Sequence, residues 1–262
     1  MSHAKVSVII PAQNEESTLP EVLMETAKLN PLEIIVVVNG SSDQTLTIAQ
    51  RFNCRVIHFE ESLGNDLGRA IGAYYAQGDL LLFIDADIPI PAEQLRLFIT
   101  AIEQGSDLAL NDLSWSAKLP IIPHPTTVAK LAMNHMLQKP AYSVNSLLAI
   151  PHALSRKTVE LLHWSTLADP ILAHALAIHR GLRFSFPAKI DVINHNKARK
   201  EHTTYLSGRP LPESTCRILG DHMRAVYFLT SIKGARGGFT HGERKRSFSE
   251  TYPAPPKLKR TR

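Results

Sequence analysis

Cysteine is scarce in this chain. Only Cys54 and Cys216 occur in 262 residues. They are too far apart for metal-ligand spacing and too few for a disulfide framework, so a reducing cytoplasm is the expected compartment. Long apolar runs are missing as well. No stretch approaches the ~18 residues of a membrane-crossing helix. The first residues, Met1-Ser2-His3-Ala4-Lys5, lead into no secretory apolar region. The expectation is a soluble or at most peripheral protein. The twelve histidines show no His-Glu-x-x-His zinc spacing. Gly64, Gly68 and Gly72 form neither a P-loop nor a Gly-x-Gly-x-x-Gly fingerprint, which argues against an NTPase or a dehydrogenase.

What is present is ordinary globular composition, 44% hydrophobic and 20% charged. The length suits one large domain, or one domain with an appendage. Basicity is confined to the end. Arg244–Arg262 holds seven Lys/Arg and one Glu, a net +6, so the remainder carries −1 of the total of +5. Pro253, Pro255 and Pro256 in the same stretch suit disorder. A solvated tail without a partner is preferred here to a weak contact with an anionic membrane, and no nucleic-acid partner is expected.

The first half alternates strand and helix patterns. Strands are predicted over Lys5–Pro11, Glu33–Val38, Arg55–Phe59, Asp79–Ile84 and Leu108–Leu110. Helices are predicted over Ser17–Leu29, Asp43–Phe52 (capped by Ser42 or Asp43), Asp66–Ala76 and Pro91–Gln104. That alternation implies an α/β fold with a mostly parallel central sheet flanked by helices. The second half is less regular. A loop is predicted over Leu113–Thr127 and a helix over Val128–Gln138. A strand-like run over Ser146–Ile150 is followed by a helix to about Leu162. Further on come a helix over Asp169–His179, strands over Arg183–Phe186 and Lys189–Ile193, a polar linker over Asn194–Pro212 and a long helix over Glu213–Ile232. The expected division is 1–111, 112–195, 196–234 for linker and final helix, and 235–262 for the tail.

The most informative feature is Asp85-Ala86-Asp87, at the end of the apolar run Leu80-Leu81-Leu82-Phe83-Ile84. Ligands of open α/β sheets bind at the carboxyl ends of such strands. Two carboxylates there suit Mg²⁺ or Mn²⁺, which prefer oxygen and bridge carboxylates to substrate phosphates. An isolated Asp-x-Asp would be read as a turn. Three more segments follow predicted strands or open predicted helices: Pro11-Ala12-Gln13-Asn14-Glu15-Glu16, Asn39-Gly40-Ser41-Ser42-Asp43 and Gly68-Arg69-Ala70-Ile71-Gly72. Singly, each has an ordinary structural reading, such as Gly68 and Gly72 letting a helix pack closely.

Together and in this order they resemble the family 2 glycosyltransferases with the GT-A fold. The resemblance runs from Val6–Glu16 through Ile34–Thr45 to Gly78–Asp87. It is strong over roughly the first 110 residues and continues weakly to His195. It implies a nucleotide-sugar donor, with Pro11, Ala12, Glu15 and Asn39 in the donor pocket and Arg69 beside the nucleotide. Two acids usually precede the Gly-Ser of the second segment; Val38 and Asn39 stand there instead. An Asn amide can both donate and accept hydrogen bonds toward a base edge, and a valine cannot. Ala70 stands where Asn usually follows the arginine.

The resemblance also implies a divalent cation, with Asp87 as direct ligand and Asp85 at the ribose or a metal-bound water. It implies inversion in one displacement, with Asp169 of Leu167-Ala168-Asp169-Pro170 as the base. Asp169 before Pro170 also reads as a plain helix cap, and the two roles are compatible. Helix N-termini favour the anionic form that a base requires. His195 stands where some relatives complete the metal site. The function implied is metal-dependent transfer from a nucleotide-sugar, a UDP-sugar favoured, to an acceptor hydroxyl on a small molecule, glycan or lipid. A polyprenyl-phosphate acceptor at the membrane surface and a nucleotidyltransferase on a similar fold stand as alternatives.

Overall fold

The computed structural model describes residues 4–119, 123–194 and 211–244. Its frame is a seven-stranded sheet in the order β3-β2-β1-β4-β6-β5-β7. The strands are β1 (Val6–Ala12), β2 (Glu33–Asn39), β3 (Arg55–Phe59), β4 (Leu80–Phe83), β5 (Leu108–Asn111), β6 (His152–Ser155) and β7 (Phe184–Ala188). β1 pairs in parallel with β2 and β4, and β2 with β3. Only β6 runs against its neighbours β4 and β5. β5 and β7 are again parallel, with a register shift between Ala109 and Asn111.

The central strands lack polar alternation because helices cover both faces of the sheet. Val8, Ile9, Ile10, Ile35 to Val38 and Leu80 to Phe83 are wholly buried. Each such side chain contributes about 1.5–3 kcal/mol relative to exposure. The helices are α1 (Leu19–Ala27), α2 (Thr45–Arg51), α3 (Asn65–Tyr75), α4 (Ala92–Glu103), α5 (Pro125–Met136), α6 (Arg156–Leu162), α7 (Pro170–His179) and α8 (Glu213–Lys233). α3 lies tightly on β1. A Cβ at Gly68 would sit 2.9 Å from Pro11 Cβ, and one at Gly72 would sit 2.3 Å from Ile9 Cγ2. The close-packing reading of these two glycines therefore holds.

A second, smaller core joins α5, α7 and α8 through Met133, Leu137, Ile171, Ala175, Ala225 and Leu229. This core presses the last helix against the edge of the main fold. Among the described residues no helix is long and apolar enough to cross a membrane.

Several sequence expectations are corrected. Ser146–Ile150 is not a strand; its apolar side chains pack inward as a turn, and the strand starts after Pro151, at His152. Lys189–Ile193 is not a strand either. There the Asn111 side chain takes the place of a ladder, accepting from Ile190 N at 2.8 Å and donating to Ile190 O at 2.9 Å. The predicted loop Leu113–Thr127 contains a 3₁₀ turn at Ser114–Lys118 and the start of α5 at Pro125. α2 begins at Thr45, two residues later than expected. Neither Ser42 nor Asp43 is its N-cap residue, although Asp43 Oδ1 accepts from Thr45 N at 2.9 Å. Most of the Asn194–Pro212 linker and the tail lie outside the described residues.

Candidate active site

The carboxyl ends of β1, β2 and β4 meet on one side of the sheet, where β1 has a parallel neighbour on either hand. That junction is where open α/β sheets bind ligands. The loops after β1 and β2 are zipped together by side chain to main chain bonds. Asn14, at φ 56°, accepts from Ser42 N at 2.8 Å, and Asn14 N donates to Ser41 Oγ at 3.1 Å. Glu15 N donates to Thr45 Oγ1 at 2.8 Å, and Glu16 accepts from Gln44 N at 3.0 Å. Polar loop residues thus satisfy each other's backbone before any ligand arrives.

The expected donor residues are brought together. Pro11 and Ala12 end β1, buried and paired with Val37 and Val38. Glu15 is 2% exposed at the start of the following loop. Asn39 ends β2 and is wholly buried. Its Oδ1 accepts from Leu63 N at 2.9 Å, which fixes Nδ2 as a donor, and that nitrogen has no hydrogen-bond partner in the protein.

Arg69 projects from α3 between two carboxylates. Nη1 lies 2.7 Å from Asp66 Oδ1 and Nη2 lies 2.6 Å from Asp85 Oδ1. Burial opposes the guanidinium charge, but the carboxylates of Asp85 and Asp66 outweigh it and hold its pKa above the usual arginine value. Asp66 itself is pushed up by burial, against the pull of Arg69 and Arg217. Arg69 therefore orients Asp85 rather than reaching outward. Asp66 was missed in the sequence, although its i,i+3 spacing to Arg69 was a legible signal.

Asp87 is 8% exposed, just beyond β4. It borders a cleft of about 380 Å³ lined by Ile88 to Pro91, Gln94 and Lys189 to Asp191. The donor set suits a hard divalent cation. Two carboxylates from one strand end, with diphosphate oxygens and water as the remaining ligands, is the usual Mg²⁺ or Mn²⁺ arrangement. Among the described residues no three acidic, histidine or cysteine side chains are grouped for a metal. His195, the third expected ligand, lies outside those residues.

Asp169 follows the 3₁₀ turn Trp164–Ala168, which packs on α3, the helix of Asp66 and Arg69. It is 7% exposed and caps α7, with Oδ1 accepting from Leu172 N at 3.1 Å. The cap reading is correct. Asp169 Oδ2 lies 3.0 Å from Arg224 Nη1 on α8, an ion pair without hydrogen-bond alignment. Asp85 and Asp169 both act electrostatically on Asp66, so one strand-end acid and the cap lie near the same carboxyl. Asp221, also on α8, is pushed up to about 6 by burial and then by Asp169 and Asp66.

A buried polar line joins α5 to α7. Asn145 accepts from Leu113 N at 2.7 Å, Asn134 donates to Asn145 O at 2.9 Å, and Asn134 Oδ1 meets His174 Nε2 at 2.9 Å. Burial, and secondarily His222, drives His174 down to about 3, so it is neutral at physiological pH. Arg224, Asn111, Asn134 and Asn145 carried no signal in the sequence, since each acts on a residue distant in the chain.

Residues 7–113 match the sequence model described as glycosyl transferase family 2. An undecaprenyl-phosphate 4-deoxy-4-formamido-L-arabinose transferase of Edwardsiella ictaluri is 33% identical over 114 residues, 39% of this chain and 35% of that protein. An uncharacterized glycosyltransferase of Synechocystis is 30% identical over 116 residues, 40% of this chain and 36% of that protein. The chain thus spans about a third of the length of these curated relatives. Among solved structures, glucosyl-3-phosphoglycerate synthase of Mycobacterium tuberculosis with uridine diphosphate superposes with a TM-score of 0.59. It has 20% identity, over 91% of this chain and 82% of that one. The same enzyme with Mn²⁺, uridine diphosphate and phosphoglyceric acid gives 0.57 at 20% identity, over 91% and 80%. The fold is that of GT-A glycosyltransferases.

Proposed function

We propose, from the premise that residues 7–113 belong to glycosyl transferase family 2, that the whole chain moves a sugar from a nucleotide-sugar to the hydroxyl of a phosphate-bearing acceptor. A UDP-sugar is the favoured donor and inversion the expected outcome. One observation carries this reading: Asp85, the strand-end acid held by Arg69, and the capping carboxylate of Asp169 both act on Asp66. A donor's leaving diphosphate and an acceptor's hydroxyl need just such opposed groups. The named relatives support the choice of acceptor, because one acts on undecaprenyl phosphate and the other on a phosphoglycerate.

Asp87, with Asp85 beside it, would hold a divalent cation, which when bound neutralises the negative charge gathering on the departing diphosphate. Arg69 fixes the Asp85 carboxylate, and the donor pocket is closed by Pro11, Ala12, Glu15 and Asn39. Asp169 Oδ2 takes the acceptor's hydroxyl proton as the new glycosidic bond forms and the sugar–phosphate bond breaks. The other oxygen, bonded to Leu172 N, keeps the carboxylate aimed.

A membrane-borne polyprenyl phosphate is the second reading, and one observation favours it. Met223 and Tyr227, beside Arg224 on α8, are 67% and 78% exposed, an apolar surface next to the base. The deciding experiment is a thermal-shift panel of nucleotide-sugars with and without Mn²⁺, since a ligand that binds only the folded state raises the melting temperature. The expected result is a Mn²⁺-dependent rise with a UDP-sugar. No rise with any nucleotide-sugar rejects the reading. A product that retains the donor's anomeric configuration rejects the single displacement.

A further inference from the structure

The contact between α8 and α7 places a cation on the one oxygen that the proposed chemistry needs. Asp169 Oδ1 accepts from Leu172 N, which leaves Oδ2 as the oxygen without a hydrogen bond, and Arg224 Nη1 sits 3.0 Å from it. Asp169 is nearly sealed, its side chain 9% exposed, whereas that of Arg224 is 68% exposed. The guanidinium is therefore reachable from solvent on the side away from the carboxylate. The pair also lacks hydrogen-bond alignment. An arginine offers five donors in a flat fork, and a phosphate or carboxylate takes two of them at once. A misaligned single contact is a weak competitor for such a ligand.

We propose that Arg224 is the acceptor-anchoring residue, and that the acceptor's own anionic group releases the base. In the free protein Arg224 occupies Asp169 Oδ2. A phosphate or carboxylate on the acceptor draws the guanidinium onto itself, which positions the acceptor and uncovers Oδ2 for its hydroxyl. A neutral molecule, water included, cannot make that exchange, so the base stays covered until the correct acceptor arrives.

The neighbouring charges are mixed. Arg217 and Lys130 add positive potential, with Lys130 lowered to about 8 by burial, while Asp221 and Asp66 oppose it. The anchoring thus depends on the fork of Arg224 and not on a broad positive patch. This inference rests on the proposed role of Asp169, but its test reads anion binding and not sugar transfer, so the two can fail separately.

The experiment titrates inorganic phosphate and glycerol 3-phosphate into the full-length protein by calorimetry, with no divalent cation and at low salt. Arg224→Gln should weaken binding about tenfold, as expected for loss of a charge-assisted contact. Asp169→Asn should do the opposite and strengthen it several-fold, because it removes the competitor. Asn caps helices as well as Asp, so this variant keeps its fold, and a melting curve verifies that.

In the Asp169→Asn/Arg224→Gln double variant the gain should vanish; such a cycle isolates the pair. A gain that persists in the double variant reflects the general field and overturns the proposal. So does unchanged or weaker phosphate binding in Asp169→Asn, or wild-type binding in Arg224→Gln. A second arm uses phosphatidylcholine vesicles with and without a polyprenyl phosphate. Arg224-dependent capture by the loaded vesicles alone assigns the anion to a lipid, and Arg224-dependent binding of glycerol 3-phosphate alone assigns it to a free metabolite. Binding to neither overturns the proposal.

Discussion

The two rims of the cleft are assembled in different ways. On the rim of Asp85 and Asp87, polar groups are tied to partners on the same or neighbouring βα units: Asn14 to Ser42, Glu15 to Thr45, Asn39 to Leu63, Arg69 to Asp66 and Asp85. On the rim of Asp169, the partners come from helices distant in the chain, as with Arg224 on α8 and Asn134 on α5. The first rim is built into the strands' own connections and is fixed before a ligand binds. The second depends on one small core that holds α5, α7 and α8 together. Ionisable groups are displaced on both rims, with Asp66 raised on the first and Asp221 raised and His174 lowered on the second.

The contrast breaks first at the acids. Asp87→Asn should abolish Mn²⁺-dependent donor binding and lower transfer on the order of 10³-fold, since a single electrostatic stabiliser contributes that much. Calorimetry with and without the cation decides it, and wild-type affinity would remove Asp87 from the metal site. Asp169→Asn should behave differently. Donor binding and melting temperature stay close to wild type, while turnover drops by ~10²–10⁴-fold. If both variants lose donor binding alike, the two rims are not separate in function.

Packing and charge sharpen the difference. Gly72→Ala drives a methyl group into Ile9 Cγ2 at 2.3 Å. It should cost about 1–3 kcal/mol of stability by overpacking, read by denaturant unfolding. The expectation at Asp221 has the opposite sign. Its folded-state pKa, about 6, is raised above the ordinary carboxylate value. The ionised form is then disfavoured in the fold, and stability is lost as pH rises from the ordinary carboxylate range through about 6. Asp221→Asn should melt higher than wild type above that pH and match it in more acidic buffer. Equal melting temperatures at every pH would place Asp221 in open solvent. The smallest effect belongs to the basic end. Removing 245–262 should leave the melting temperature unchanged, because so Pro- and Lys/Arg-rich a composition buries little apolar surface.

The rim of Asp85 and Asp87 was legible in the sequence because its interactions are local to successive βα units. An apolar run ending in Asp85-Ala86-Asp87 specifies a buried strand and what stands at its end, whatever the rest of the chain does. The same holds for Asn39 after Ile34–Val38, and for Asp169 before Pro170, where a cap needs only its own helix. The strand reading of Ser146–Ile150 was wrong because apolar character alone does not distinguish a strand from a turn packed into a core. The strand reading of Lys189–Ile193 was wrong because a side chain, Asn111, satisfies that backbone in place of a neighbouring strand.

Composition and pattern by themselves determined the alternating α/β order, the buried parallel strands, the acids at their ends and the isolation of positive charge in the tail. Each of these follows from periodicity, propensity or a short motif, which act over a few residues. Only the tertiary structure decided that β6 enters against its neighbours, that Arg69 is spent on Asp85, and that Arg224 lies on Asp169. Those are meetings between residues up to 75 positions apart, as with Leu80 of β4 and Ser155 of β6. Packing of the main sheet and of the small helical core sets them, and no local preference encodes a contact whose stabilisation comes from packing elsewhere.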